Sequence, residues 1–198
     1  MAIKLTDLLS ESPATGYYLT AKNAAKLEAL LKHQVNGGEF LGGVNVTKLG
    51  GNRVFAWGNI GGSLVSVWLG LFDVTGNEYV PMFGAVLNQL VPAMRGIPTY
   101  QVKFASKFGT SDKGLSKLAF VSFLKDEPAT QLVSDGTLSD QAANSWLEIA
   151  TDPKLKNQTF FWDIDKKCTV TINDPADLFG QDPKFQNVLC GLAGTNVK

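Results

Sequence analysis

Histidine and cysteine are almost missing from this sequence, and with them most of the side chains that enzymes use near neutral pH. The one histidine, His33, falls in the last turn of a predicted helix, where the helix dipole favours it and no catalytic role is needed. The two cysteines, Cys168 and Cys190, have neither a CxxC spacing nor a Cys/His neighbourhood. They indicate free thiols rather than a disulfide framework or a zinc site.

The motifs of common catalytic sites are also missing. GxSxG, GxxxxGK and HExxH do not occur, and GNIGG lacks the spacing of a dinucleotide-binding loop. General acid–base catalysis would rest on carboxylates, which lie mostly in predicted loops without a convincing pair. Asp174, Asp177 and Asp182 could gather a divalent cation, but Asp-Pro pairs are ordinary turn formers. We therefore expect a protein that is not an enzyme, with no cofactor and no metal; an enzyme built on carboxylates is the weaker alternative.

Long hydrophobic runs are absent as well. No apolar stretch approaches the roughly 20 residues that a membrane-spanning helix needs. The N-terminal segment MAIKLTDLLSES has neither the apolar core nor the cleavage site of a secretory signal. We therefore expect a cytoplasmic protein, in the host cell if it is viral, without a membrane partner.

What the chain does have is enough apolar surface for a core and an uneven charge distribution. Its 198 residues are 44% hydrophobic and 10% aromatic, which predicts one compact domain. The formal charge is zero, yet residues 41–125 hold eight Lys or Arg and three Asp or Glu, whereas residues 126–198 hold six and eleven. This asymmetry indicates a polyanion-binding part beside an acidic part, although a solvated surface gives the same count.

Hydrophobic periodicity predicts a helix followed by strands in the first half of the chain. A helical pattern covers residues 20–34 and is followed by a glycine-rich joint. Alternating patterns predict strands over residues 52–60 and 63–74, and TGN predicts a hairpin into a third strand, EYVPMF. The apolar residues after Gly84 predict a helix from Ala85 to Met94. Pro92 is unusual inside a helix and should kink or shorten its last turn.

The second half of the sequence mixes strands, loops and one helix. TYQVKFASKF alternates strictly, and after GTSDKG the segment LSKLAFVSFL is interpreted as its partner strand in a long hairpin. SDQAANSWLEIA predicts a helix opened by Ser139. TFFWDIDKKCTVTI predicts a strand pair turning at Asp165 and Lys166, and the remaining tail is interpreted as a loop.

This order of elements is typical of a five-stranded Greek-key OB barrel, with a helix between the third and fourth strands. The expected fold is therefore α+β and mainly β. Residues 1–40 would form an N-terminal helical extension, residues 41–125 the OB-like barrel, and residues 126–198 an acidic α/β extension packed on the barrel.

Two motifs in residues 52–123 resemble bacterial-type single-stranded DNA-binding proteins. NRVFAWGNIGG is similar to the first-strand signature of that family, in which an Asn and a basic residue precede an apolar strand that ends in Gly-Asn, an aliphatic residue and Gly. Phe83-Gly84 and Arg95-Gly96 match the family's strand end and the basic-Gly pair that opens the next strand. The resemblance implies an OB fold and binding of single-stranded DNA or RNA in replication or recombination, and we interpret the chain as a viral or phage relative of such proteins.

Such binding needs cations along a groove and exposed aromatic rings on which bases stack. If the faces of Val54 and Val65 point into the barrel, the aromatic residues of two adjacent strands lie outside beside a row of lysines. The expected nucleic-acid-binding residues are Arg53, Phe55, Trp57, Trp68, Phe72, Arg95, Lys103, Lys107, Lys113 and Lys117. The alternative at this point is that terminal helices bury these rings.

A second hypothesis is a structural or assembly protein, such as a virion component. Charged residues make up only 18% of the chain, which contains 20 glycines. In this interpretation the aromatic face is a protein interface and the chain forms a homo-oligomer.

Overall fold

The protein is mainly β. A computed structural model describes residues 44–60, 66–76, 78–136, 138–179 and 183–197, together with Ala29 and Leu31. These residues form nine strands, three short helices and one 3-10 turn. The helix predicted over residues 20–34 lies outside the described residues apart from Ala29 and Leu31, which are helical.

The strands in chain order are β1 (Val44–Gly50), β2 (Arg53–Ile60), β3 (Ser66–Thr75), β4 (Glu78–Gln89), β5 (Thr99–Lys107), β6 (Gln131–Val133), β7 (Thr159–Asp163), β8 (Cys168–Val170) and β9 (Val188–Ala193). The helices are α1 (Leu115–Asp126), α2 (Asp140–Ala150) and α3 (Pro175–Phe179), and the 3-10 turn is Pro183–Phe185.

All nine strands belong to one mixed sheet in the order β1-β2-β3-β4-β5-β6-β9-β7-β8. The sheet does not close on itself, since β1 and β8 stand at opposite ends of this order. The prediction of a five-stranded OB barrel is therefore wrong. An OB barrel needs its strands to close, whereas here the chain adds strands outward and inserts β9 between β6 and β7.

The chain divides into two compact units, with β5 contributing to both. Unit 1 comprises residues 1–88 and 103–115, and unit 2 comprises residues 89–102 and 116–198. No helix among the described residues is long and apolar enough to cross a membrane.

In unit 1, β2 and β3 are buried on both faces. Paired residues on antiparallel strands share a face, so the register shows which side chains lie together. Phe55 pairs with Leu71 on one face, and Val54 pairs with Phe72 on the other. The face of Phe72 packs with Leu31 and Trp68 in one hydrophobic cluster.

The segment predicted as a helix from Ala85 to Met94 is the second half of β4 followed by a loop. Val67 pairs with Leu87 and Trp68 with Val86, so consecutive apolar residues of β4 face opposite buried sides. A strand with two buried faces reads as a continuous apolar run, which periodicity alone cannot distinguish from a buried helix. The helix prediction is wrong for that reason.

The loop between β4 and β5 ends in a tight turn. Arg95 and Gly96 have φ of 56° and 74°, and the Ile97 amide donates to the Met94 carbonyl at 3.0 Å. Two successive residues with positive φ are typical of a type I′ hairpin turn. Pro92, the departure within the predicted helix, lies in this loop after a cis peptide bond.

The segment LSKLAFVSFL forms helix α1 rather than a strand. Its buried side chains include Leu115, Ala119, Phe120, Phe123 and Leu124, a spacing of three, four and five that fits one helix face. The long hairpin predicted from Thr99 to Leu124 is therefore wrong. Parallel strands β5 and β6 follow one another through this helix, as parallel neighbours require a crossover connection.

Unit 2 contains both confirmed and missed elements. Helix α2 begins after Ser139, whose hydroxyl accepts a hydrogen bond from the Ala142 amide, as predicted. The β7–β8 hairpin is also confirmed. Strand β9, in the part of the sequence interpreted as a loop, pairs with both β6 and β7 and lies inside the sheet.

Candidate nucleic-acid interface

The four aromatic residues predicted to stack on bases are buried. The exposed fractions are 0% for Phe55, 7% for Trp57, 4% for Trp68 and 0% for Phe72. The expectation of a single exposed aromatic face therefore does not match the structure. These rings belong to the buried core, so a base cannot stack on them in the described conformation.

The register also separates these rings into two pairs. Phe55 and Trp57 lie opposite Leu71 and Leu69, whereas Trp68 and Phe72 lie opposite Gly58 and Val54. Because paired residues share a face, the two pairs are on opposite sides of the sheet. Phe72 additionally makes an edge-to-face contact with Tyr79, with ring centroids 6.3 Å apart.

Two of the predicted cations meet at one residue that the sequence analysis did not select. Arg53, at the start of β2, donates from Nη2 to the Asp112 carboxylate. Lys107, at the end of β5, donates from Nζ to the Asp112 main-chain carbonyl at 3.2 Å. Asp112 lies in the loop between β5 and α1, and its amide donates to Thr110 Oγ1 at 3.1 Å. Two strands thus hold the same loop through cationic side chains.

The contact between Arg53 and Asp112 is open to solvent. Their side chains are 43% and 38% exposed. Lys113 follows Asp112 directly and is exposed. We call Arg53, Lys107, Asp112 and Lys113 the Asp112 cluster.

Two further charged residues lie near the Asp112 cluster. Lys103 is half-buried and shares a face of β5 with Lys107, about 13 Å along the strand. Asp73 stands opposite Arg53 in the β2–β3 register. The cluster and Asp73 together bring three cations and two carboxylates to this end of unit 1, so its positive excess is small.

Arg95 and Lys117 are engaged inside unit 2. The Arg95 guanidinium donates to Gln131 Oε1 at 2.8 Å and its central carbon lies 4.9 Å from the centroid of the Phe160 ring. Gln131 is fully buried and itself donates to Thr99 Oγ1 at 2.8 Å. Arg95 therefore anchors its turn to the sheet, which compensates for its left-handed backbone.

Lys117 connects α1 with α2. Its Nζ lies 3.3 Å from Glu148 Oε1 and 3.2 Å from Asp152 Oδ2. Burial lowers the pKa of Lys117, but the hydrogen bonds to Asp152 and Glu148 outweigh this effect and the net shift is upward. Lys117 belongs to unit 2 and was predicted on a strand that does not form.

Among the described residues, no group of three or more His, Cys, Asp or Glu side chains is arranged to hold a metal ion. Within the same ranges, every buried side-chain nitrogen and oxygen has a hydrogen-bond partner. Burial raises the pKa of the Cys190 thiol to about 12, so this group stays protonated at neutral pH.

Of the predicted site residues, the structure brings together Arg53, Lys107 and Lys113. Asp112, which accepts hydrogen bonds from both Arg53 and Lys107, was not among the predicted residues. The only available signal was the tripeptide Ser111-Asp112-Lys113 between a predicted strand and the next element, a pattern that is common in loops. No protein-family model matches the sequence, and a comparison with curated proteins finds no significant similarity.

Proposed function

We propose that the chain is a non-catalytic protein that binds single-stranded DNA through its backbone phosphates. The observation that carries this proposal is the convergence of Arg53 and Lys107 on the exposed Asp112 loop, with Lys113 beside them. Guanidinium and ammonium groups are the usual partners of phosphate oxygens. Aromatic stacking has no part in this proposal, because the rings predicted to stack on bases are buried.

Binding through phosphates alone has a distinct signature. Affinity falls steeply with salt, with a slope of log K against log salt of about −0.7 for each phosphate contacted on a single strand. We expect oligo-dT, oligo-dA and an abasic oligonucleotide to bind alike, because the bases are not contacted. Fluorescence anisotropy of labelled oligonucleotides, from about 50 mM to about 200 mM salt, measures both properties.

Two triple variants that remove the same charge from different parts of the chain test this proposal. The variant Arg53→Gln/Lys107→Gln/Lys113→Gln is expected to lose most of the binding and to flatten the salt dependence. Lys125→Gln/Lys154→Gln/Lys156→Gln removes the same charge from exposed positions of unit 2 and is expected to bind like the wild type. Equal losses in both variants, or no wild-type binding even at low salt, would contradict the proposal.

A structural or assembly role is the second candidate, and a different observation favours it. Strand β1 stands at one end of the sheet order and Val46 on it is 42% exposed, one of four exposed large hydrophobic residues in the described parts of the chain. An end strand with an exposed apolar side chain is a common site of strand pairing between molecules. The buried aromatic face no longer serves as the interface.

Light scattering over a dilution series separates the two roles. Assembly through β1 predicts a concentration-dependent oligomer that Val46→Lys abolishes and that single-stranded DNA leaves unchanged. A particle of monomer mass at every concentration would remove this candidate.

A further inference from the structure

We infer that Asp112 occupies a phosphate subsite, so that a backbone phosphate of the bound strand replaces its carboxylate at the Arg53 guanidinium, beside Lys107. The inference rests on the proposed function and adds the position of one phosphate and the group that competes with it. It makes the Asp112 loop an internal competitor of the nucleic acid.

Two cationic side chains donate hydrogen bonds to Asp112, and one of these bonds goes to the anionic group that a phosphate would replace. Arg53 donates to the carboxylate, and Lys107 donates to the carbonyl oxygen of the same residue. Both donors are cationic side chains, and in the described conformation both donate to oxygen atoms of this one residue. A phosphodiester presents two unesterified oxygens with a negative charge, so that one can replace the carboxylate at Arg53 while the other faces the Lys107 ammonium.

The exposure of the Asp112 ion pair allows a phosphate to replace the carboxylate. The ion pair is more than one-third exposed on both sides, so a ligand reaches it from solvent without opening the core of unit 1. Exposed ion pairs contribute little to stability. Replacing the carboxylate by a phosphate therefore costs the fold little, while the strand phosphate gains the Arg53 guanidinium on β2 and lies beside the Lys107 ammonium on β5.

Asp112 differs from Asp73, the other carboxylate of the same region, in its contact with Arg53. Asp73 is opposite Arg53 in the register, but the hydrogen bond from the Arg53 guanidinium goes to Asp112. If only the net charge mattered, removing either carboxylate would have the same effect on nucleic-acid binding. If Asp112 occupies the subsite, its removal matters more.

Three variants test this in the full-length chain with labelled oligo-dT. Asp112→Asn is expected to bind about three- to tenfold more tightly than the wild type at low salt, because the phosphate no longer competes with a carboxylate for Arg53. Asp73→Asn, with the same change in charge, is expected to gain clearly less. Thr110→Val loosens the loop by removing the acceptor of the Asp112 amide but keeps the carboxylate, and it is expected to gain nothing.

The outcomes distinguish failure of the subsite from failure of the proposed function. If the wild type binds, and the triple Arg53, Lys107 and Lys113 variant does not, yet Asp112→Asn binds no better than Asp73→Asn, the subsite is refuted and the proposed function stands. If Thr110→Val binds as tightly as Asp112→Asn, loop mobility explains the gain and the subsite is refuted. If neither the wild type nor Asp112→Asn binds at low salt, both proposals fail.

Discussion

Phe160 on β7 lies so close to Gly191 on β9 that a side chain at position 191 has no room. The two residues are directly paired, and a Cβ built on Gly191 would be 2.2 Å from Cζ of the Phe160 ring. Gly191 is therefore required for its lack of a side chain, since the ring covers its backbone. The same ring supports the Arg95 guanidinium.

Gly191→Ala is expected to destabilise the protein by about 1–3 kcal/mol, because the added methyl group overpacks a filled position. Urea denaturation followed by circular dichroism measures the loss. Gly136→Ala is the matched control, because its Cβ meets nothing within 4 Å.

The double variant Gly191→Ala/Phe160→Leu identifies the ring as the cause. A smaller side chain at position 160 relieves the contact, so the two substitutions together should cost less than the sum of the separate effects. Simple additivity would show that the methyl group meets another obstacle.

Truncating the rings once expected at the interface should damage the fold. Phe55→Ala and Phe72→Ala remove side chains that are 0% exposed, and each is expected to cost about 3–5 kcal/mol. Val91→Ala, at a position that is 81% exposed, should stay within about 0.5 kcal/mol. A ring variant that keeps its urea midpoint but loses oligonucleotide binding would place that ring at the surface.

The contact between α1 and α2 is expected to weaken in acid. The Lys154 amide and then the Lys117 ammonium hydrogen-bond the Asp152 carboxylate and lower its pKa below 3.8. A lowered folded-state pKa stabilises the protein at pH values above the unfolded value, and this stabilisation is lost as the pH falls below 3.8 through the folded value. Wild type should therefore be more stable than Asp152→Asn at neutral pH, and the difference should shrink below pH 3.8.

The stabilisation that Lys117 contributes is expected to be lost at alkaline pH. Its raised pKa means that its contribution is complete below 10.5 and disappears as the pH rises beyond that value. Thermal unfolding of wild type, Asp152→Asn and Lys117→Gln across both ranges measures these effects. A constant difference between wild type and Asp152→Asn down to pH 2 would exclude the ion pair as its source.

The two thiols should differ in reactivity. Cys168 is exposed, whereas Cys190 is fully buried with a pKa of about 12. A thiol reagent at about pH 8 should therefore modify one thiol per chain in the native state and two in denaturant. Cys168→Ser should leave no reactive thiol in the native protein, and rapid labelling of that variant would show that Cys190 is accessible.

The elements that could be predicted from the sequence have one polar face or an explicit boundary signal. Ser139 capped helix α2, and the Asp165-Lys166 turn separated β7 from β8, as expected from local chemistry. Strand β4 was not predicted correctly because both of its faces are buried, so polar and apolar residues do not alternate along it. Strand β9 failed because its position depends on pairing with distant residues of β6 and β7.

The candidate site was only partly predictable for a similar reason. The alternation of β2 and β3 gave the right faces within each strand but not the register between them, so Trp57 and Trp68 were assigned to one side. The pairing of Trp57 with Leu69 places them on opposite sides. The bond from Arg53 to Asp112 joins residues far apart in sequence, and no local pattern encodes it.

The division of β5 between the two units has a consequence for synthesis on the ribosome. Unit 1 lacks residues 103–115 until the chain has already contributed residues 89–102 to unit 2. Unit 2 in turn lacks the strand between β6 and β7 until β9, the last of the described strands, has been made. Neither unit can therefore finish folding as an uninterrupted stretch of nascent chain, and a premature stop before Val188 would leave β6 and β7 without their shared partner.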